Sequence, residues 1–285
     1  MSSGWTAKRF WAEVGVTDAG GSFGVVLDAR PVKTPAKAVL TLPTRALAEA
    51  VAAEWQAVEG AVDPRRMPMT RSANAALDKV APQFDEVAGL IAAYGGSDLL
   101  CYRAEAPAEL VAAQAEAWDP MLAWAERTYG ARLVTTHGIA PVAQPSEGLA
   151  ALSRPVFSCT PFQMTALHDL VSLTGSLVLG LAATTGEFAA DHLWKLSRFD
   201  EDWQAGLWGE DEESSAIAES GKTSCMLAIF GNFRPMRGNK ISAQRRLQSG
   251  FCRATRKNPL PAVMAECFLD APASSVKTAS TGEPQ

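Results

Sequence analysis

Asp18-Ala19-Gly20-Gly21-Ser22-Phe23-Gly24-Val25-Val26-Leu27-Asp28 admits two incompatible folds. Gly20 to Gly24 spells G-x-S-x-G, the pattern that holds a nucleophilic serine at a strained strand-to-helix turn in serine hydrolases. That chemistry requires a helix directly after the serine, and none is signalled here. Phe23 to Leu27 instead continues as a short apolar run rich in β-branched residues, the composition of a strand. Phe10, Ala12, Val14 and Val16 alternate upstream with polar or small residues, the period of a half-buried strand. Two strands around a glycine-rich turn make a hairpin, and the nucleophile reading is rejected.

Working outward, a further strand is expected near Ala38 to Leu42. Thr44 is placed to cap a helix carrying Leu47, Val51, Trp55 and Val58 at helical spacing up to Gly60. After Asp63-Pro64 the pattern turns almost wholly helical. Helices are predicted over about 82–94, 107–118, from an Asp119-Pro120 start to Gly130, and over 146–157, 161–173, 175–185 and 187–206. Asp98 to Tyr102 and Arg132 to Thr136 are predicted as short extended pieces. The helix around Leu177 to Leu181 is apolar on most sides and belongs at the centre of a bundle.

The chain has 285 residues and a net charge of −5, from 26 Lys plus Arg against 31 Asp plus Glu. With 47% hydrophobic and 20% charged residues it has globular composition, which excludes collagen, wholesale disorder and a disulfide mini-scaffold. The longest uncharged stretch, Leu170 to Gly186, spans 17 residues and holds five Ser or Thr, so no membrane insertion is expected. Neither a secretory signal nor an Arg-rich leader is legible at the start. Cys101, Cys159, Cys225, Cys252 and Cys267 are scattered and odd in number, as in a reducing compartment. The charge is uneven: residues 220–285 hold ten basic and three acidic residues, and residues 1–219 hold 16 basic and 28 acidic ones, giving +7 and −12.

No metal or cofactor motif is present. His137, His168 and His192 lack ligand spacing, no C-x-x-C occurs, and neither a Walker A sequence nor a strand-linked G-x-G-x-x-G is found. The acidic region 199–213 stands out instead. Read as one helix, Leu193, Leu196, Phe199, Trp203 and Leu207 form an apolar stripe. Glu201, Gln204 and Trp208 share another face at i, i+3 and i+7. A carboxylate, an amide and an indole together suit contact with a protein surface, although a solvated acidic face fits the spacing equally well. A hydrolase or metal-dependent enzyme using residues 200–213 is the competing function; it requires convergent groups in a concave pocket. A nucleic-acid binder would rest on the basic tail alone.

The order of further motifs resembles a known family. They run from Lys8-Arg9-Phe10 through Leu27-Asp28-Ala29-Arg30-Pro31-Val32-Lys33-Thr34-Pro35, Leu47-Ala48, Glu54-Trp55, Asp63-Pro64 and Met67-Pro68-Met69-Thr70-Arg71 to Asn74. Tyr94, Asp98-Leu99-Leu100-Cys101-Tyr102-Arg103, Gln114, Trp118-Asp119-Pro120, Gly138, Gln144, Gly175-Ser176, Asp200-Glu201, Gln204 and Trp208-Gly209 follow. The chain resembles the assembly chaperones of the F-type ATP synthase catalytic head (F1) that act on the α subunit.

The resemblance implies an α+β protein: a small N-terminal α/β domain (1–70) followed by an orthogonal α-helical bundle (71–219). It implies no enzyme activity and no cofactor. The implied partner is the unassembled α subunit, held from misassociation until the head forms, with no nucleic acid expected. The free protein is expected to be a monomer in a bacterial cytoplasm, with the mitochondrial matrix as second choice. Asp200, Glu201, Gln204, Trp208 and Glu212 are the partner-binding residues it implies. Ser220 to Gln285 departs from the family pattern. This atypical basic tail is expected to be poorly ordered, from a shifted reading frame or a fused segment, with a basic recruitment tail as the alternative.

Overall fold

The computed structural model describes residues 8–209. Strands β1 (Val14–Asp18) and β2 (Phe23–Leu27) form the expected antiparallel hairpin, with Val14 opposite Leu27 and Asp18 opposite Phe23. Gly20 and Gly21 close it at φ 70° and 106°, where a side chain is disfavoured. Ser22 thus lies in a hairpin loop. Strands β3 (Arg30–Pro31) and β4 (Thr41–Leu42) both pair with β2, completing a small antiparallel sheet. One residue of register is corrected upstream: Trp11 is buried while Phe10 and Ala12 are exposed. Asp28 reaches back and accepts hydrogen bonds from the Ala12 and Glu13 amides, so this segment is held by a carboxylate and is not part of β1.

Helix α1 (Arg45–Gln56) begins at Thr44, whose hydroxyl accepts the Leu47 amide at 3.2 Å. It packs Leu47, Ala48 and Val51 onto the sheet with Val25, Leu40 and Leu42. At the far end, Arg9 donates to the Gln56 and Val58 carbonyls at 3.0 and 2.8 Å.

The chain then turns through Pro64–Arg66 into α2 (Pro68–Ala75). A π-helical turn, Ala76–Val80, and a 3₁₀ turn, Ala81–Gln83, join α2 to α3 (Phe84–Ala93). Pro82 accounts for the irregularity, because it lacks an amide and its ring crowds the carbonyl four residues back. The helix expected over 82–94 therefore has an irregular first turn. Residues 98–102 are not one extended piece: Leu99–Cys101 form a 3₁₀ turn, and only Tyr102–Arg103 extend as β5.

The two helices expected either side of Asp119-Pro120 are one, α4 (Ala108–Tyr129), with Pro120 inside. Trp118, Met121, Trp124 and Ala125 are buried on both sides of the proline, so packing overrides the lost hydrogen bond. Asp119 is no cap; it accepts from Arg103 at 2.8 Å. Of 132–136 only Thr136 pairs, in β6 (Thr136–His137), parallel to β5. Helices α5 (Ser146–Phe157), α6 (Pro161–Thr174) and α7 (Leu177–Thr185) fall where the periodicity placed them. In α7 every residue from Leu177 to Ala183 is buried, the central position its uncharged sequence demanded.

The predicted helix over 187–206 is two, α8 (Ala190–Ser197) and α9 (Phe199–Trp208), broken at Arg198. The break has a cause in hydrogen bonding. Trp118 Nε1 donates to the Leu196 carbonyl at 2.9 Å, and Ser197 Oγ donates to the Trp194 carbonyl at 2.7 Å. The Leu196 carbonyl, which would have continued the helical ladder, is thus taken by the Trp118 indole, whereas the Trp194 carbonyl accepts the Arg198 amide at 3.1 Å as well as the Ser197 hydroxyl. Two hydrophobic cores result. One lies under the sheet and α1 and reaches Met67, Met69, Ala73, Ala76 and Phe162; the other fills the space among α3 to α8.

Candidate functional site: the α9 face

The root of α9 is built from buried polar contacts. Gln114 on α4 is 1% exposed; its Oε1 accepts the Ala104 amide at 2.8 Å and its Nε2 donates to Asp200 at 2.7 Å. Phe199 packs edge-on to Trp118, with ring centres 5.8 Å apart. Arg103, buried, lies 5.3 Å over the same indole and donates to the Leu100 carbonyl and to Asp119. Asp200, Glu201 and Asp202 fill the first turn, where carboxylates suit the positive end of the helix.

Beyond that root the helix carries no buried residue. Glu201 is exposed and accepts from Arg198 at 2.8 Å. Gln204 is exposed, Leu207 is 61% exposed and Trp208 is 80% exposed. Glu201, Gln204 and Trp208 thus lie in open solvent on the one helix that the spacing required. Asp200 is separated from them by its bond to Gln114. Glu212 lies outside the described residues, as does the tail 220–285.

The apolar stripe predicted from Leu193 to Leu207 is interrupted. Leu193 and Leu196 are core residues of α8, and Phe199 and Trp203 are half-buried. Leu207, on α9 beyond the break at Arg198, faces solvent. Periodicity alone could not disclose this; the bond from Trp118 to the Leu196 carbonyl is a tertiary contact across 78 positions.

Enzymatic groups do not converge here. Among the described residues no group of three or more His, Cys, Asp or Glu is placed to hold a metal. Burial pushes the Cys101 thiol up to about 12 and the Cys159 thiol up to about 11, so both stay protonated and weakly nucleophilic near neutrality. His168 sits 3.3 Å from Asp169, His137 lies 3.3 Å from the Ala104 carbonyl, and His192 stacks near Phe188.

Sequence reading missed a concave feature among the described residues, a shallow trough of about 290 Å³ between α3 and α5. Its floor is made of small residues, Gly89, Ala92, Ala93 and Gly96, which carry little hydrophobic signal individually. No helix among the described residues is long and apolar enough to cross a membrane.

Comparison with known proteins gives this arrangement a context. The sequence profile of the ATP12 chaperone protein family matches residues 8–126. The mitochondrial protein atp12 of Schizosaccharomyces pombe is 23% identical over 222 residues, covering 74% of this chain and 76% of its own. The crystal structure of Atp12 from Paracoccus denitrificans superposes with a TM-score of 0.75 at 52% identity, covering 78% of this chain and 96% of that one. A putative chaperone from Agrobacterium tumefaciens superposes with the same TM-score at 40% identity, covering 81% and 86%. The chain belongs to the ATP12 chaperone family, the non-enzymatic assembly factors of the F1-ATPase α subunit.

Proposed function

We propose that this protein holds the unassembled F1 α subunit through the outward face of α9, with Glu201, Gln204 and Trp208 in contact and Glu212 extending the surface. Asp200 acts from beneath, as the residue that sets the helix on the bundle. The observation that carries this reading is an indole 80% exposed at the end of a helix anchored by buried polar bonds. A large exposed aromatic among carboxylates is the composition of a contact hot spot with a polar rim. Such a contact suits a chaperone, which must bind one free surface well and yield when the larger native interface forms.

The reading includes a division of the chain near residue 70 into a sheet-based unit and a helical unit, supported by the two hydrophobic cores. It also includes a monomeric free state, and action in a bacterial cytoplasm, the latter supported by similarity to the Paracoccus and Agrobacterium proteins.

The test is co-purification of free α subunit with wild type and with the double variant Glu201→Ala, Trp208→Ala, alongside α-subunit aggregation in solution. Capture and suppression of aggregation by wild type, both weakened in the double variant, are expected. Equal aggregation with and without the protein would refute the chaperone role for this chain. Undiminished capture by the double variant would refute the α9 face while leaving the role intact.

A further inference from the structure

Helix–helix connections in bundles usually take about 2–8 residues, but the one between α4 and α5 takes residues 130–145. Its composition is also unusual. Residues 133–146 contain no Lys, Arg, Asp or Glu, although 20% of the whole chain is charged. Ile139 at its tip is 97% exposed and Val134 is 42% exposed, and Ala140 and Pro141 are exposed as well. Single exposed apolar residues are ordinary on a protein surface, whereas a contiguous uncharged stretch has the composition of a contact core.

The loop is held in shape. Gln144 closes it: its Oε1 accepts the Val134 amide and its Nε2 donates to the Val134 carbonyl, both at 2.8 Å. Strand β6 within it pairs with β5, and the Gly138 amide donates to the Arg103 carbonyl at 2.8 Å. A loop tied in this way presents its tip with little ordering left to lose on contact. Its anchor is also the anchor of α9. Ala104, the residue after Arg103, donates its amide to Gln114, and Gln114 donates to Asp200. This chain of bonds keeps the Ile139 and Asp200 Cα atoms within about 25 Å of each other. A standard contact patch of about 800 Å² per partner is about 30 Å across, so the loop tip and the start of α9 fit within one footprint.

We infer that residues 133–146 form the apolar half of the α-subunit contact, with Ile139 seated in the partner and α9 supplying the aromatic and acidic half. The inference deepens the α9 reading and rests on it. The α subunit is the occupant because the loop shares its anchor with α9 and lies within one footprint of it. The surface it fits is an uncharged depression bordered by cations, the complement of an isoleucine beside the α9 carboxylates.

The experiment titrates purified α subunit with the full chain and with Ile139→Asp, Ile139→Leu, the α9 double variant Glu201→Ala, Trp208→Ala, and Leu90→Asp, a 65% exposed position on α3. Ile139→Asp is expected to weaken binding about tenfold or more, since burying an isoleucine is worth at least that factor. Its unfolding midpoint should not move, because the side chain is 97% exposed. Ile139→Leu should keep its affinity within about threefold, as a volume-conserving exchange does, and Leu90→Asp should bind as wild type. Wild-type affinity in Ile139→Asp, with the α9 double variant weakened, would overturn the loop contact and leave the α9 reading standing. Loss in Ile139→Asp with full affinity in the α9 double variant would refute the α9 reading and with it the shared footprint. Equal losses in Ile139→Asp and Leu90→Asp would mark a non-specific apolar effect and overturn the inference, as would absence of binding by wild type.

Discussion

Gln114 Nε2 donates to Asp200 Oδ1 at 2.7 Å, across 86 positions of sequence and between the bundle and the exposed helix. The bond divides the acidic segment in two. Asp200 is held by a buried amide, whereas Glu201, one position on, is exposed beside Arg198. Adjacent carboxylates therefore do different work. Gln114→Ala should strand the Ala104 amide and free α9, lowering stability by about 2 kcal/mol. Glu201→Ala should change it by less than about 0.5 kcal/mol, as surface ion pairs do. Urea unfolding of the two variants checks this; equal losses would mean that Asp200 is not the anchor.

Asp98 provides a second buried anchor. It is 0% exposed and accepts from Ser176 Oγ at 2.7 Å, the Val178 amide at 3.0 Å and the Leu100 amide at 3.1 Å. One carboxylate thus caps both the 3₁₀ turn 99–101 and the start of α7. Asp98→Ala leaves those donors buried without partners, and a loss of about 3 kcal/mol is expected. Thermal unfolding with unchanged partner capture at low temperature would identify the residue as structural.

These contacts also show what could be read from the sequence. The hairpin, α1 with its Thr44 cap and the central α7 follow from period, caps and turn residues, which act within a few positions. The resemblance picked out Asp98, Gln114 and Ser176, but no local rule says what they touch, because their partners lie tens of residues away. The division at Asp119-Pro120 misled for the opposite reason. It is a sound local start signal that Trp118, Met121 and Trp124 overrule by burial on both sides. On α9 the exposed face was legible from i, i+3, i+7 spacing, whereas the separate role of Asp200 depended on Gln114.

Glu54 makes stability depend on pH. Its carboxylate accepts the Met69 and Thr70 amides and the Thr70 hydroxyl at 2.7, 2.8 and 2.7 Å, yet burial outweighs these bonds and raises its pKa from 4.5 to about 7. A raised folded pKa means that the folded state holds its proton more tightly than the unfolded chain. The contribution is fully present below pH 4.5 and is lost as pH rises to about 7, a difference on the order of 3 kcal/mol. Glu54→Gln should flatten that part of the profile. Urea midpoints measured between pH 5 and 8 for both proteins test the sign, since a wild-type profile rising with pH relative to the variant would reverse it.

Gly148 is required by its surroundings and not by its own backbone angles. A Cβ built on it would stand 2.6 Å from the Arg132 carbonyl oxygen, a backbone atom that cannot swing away. Gly148→Ala gains about 1 kcal/mol of helix propensity but forces α5 from the 130–134 segment. A net loss of up to about 2 kcal/mol is expected, since overpacking of this kind costs about 1–3 kcal/mol. Differential calorimetry decides it: a raised melting temperature would show that the segment moves freely.

Trp208 offers an optical readout of the proposed contact. At 80% exposure it is open to a soluble quencher, whereas Trp11, Trp118, Trp124 and Trp194 are buried. Trp208→Phe should therefore reduce the acrylamide-accessible part of the emission while leaving the unfolding midpoint within about 0.5 kcal/mol, as a surface exchange does. Addition of α subunit should protect a comparable part in wild type and little in the variant, after subtraction of the partner's own signal. Indole contact transfers apolar area out of water, so protection and affinity should fall together along Trp208→Phe and Trp208→Ala. Full protection of the remaining emission in Trp208→Phe, with affinity unchanged, would place the contact on another face.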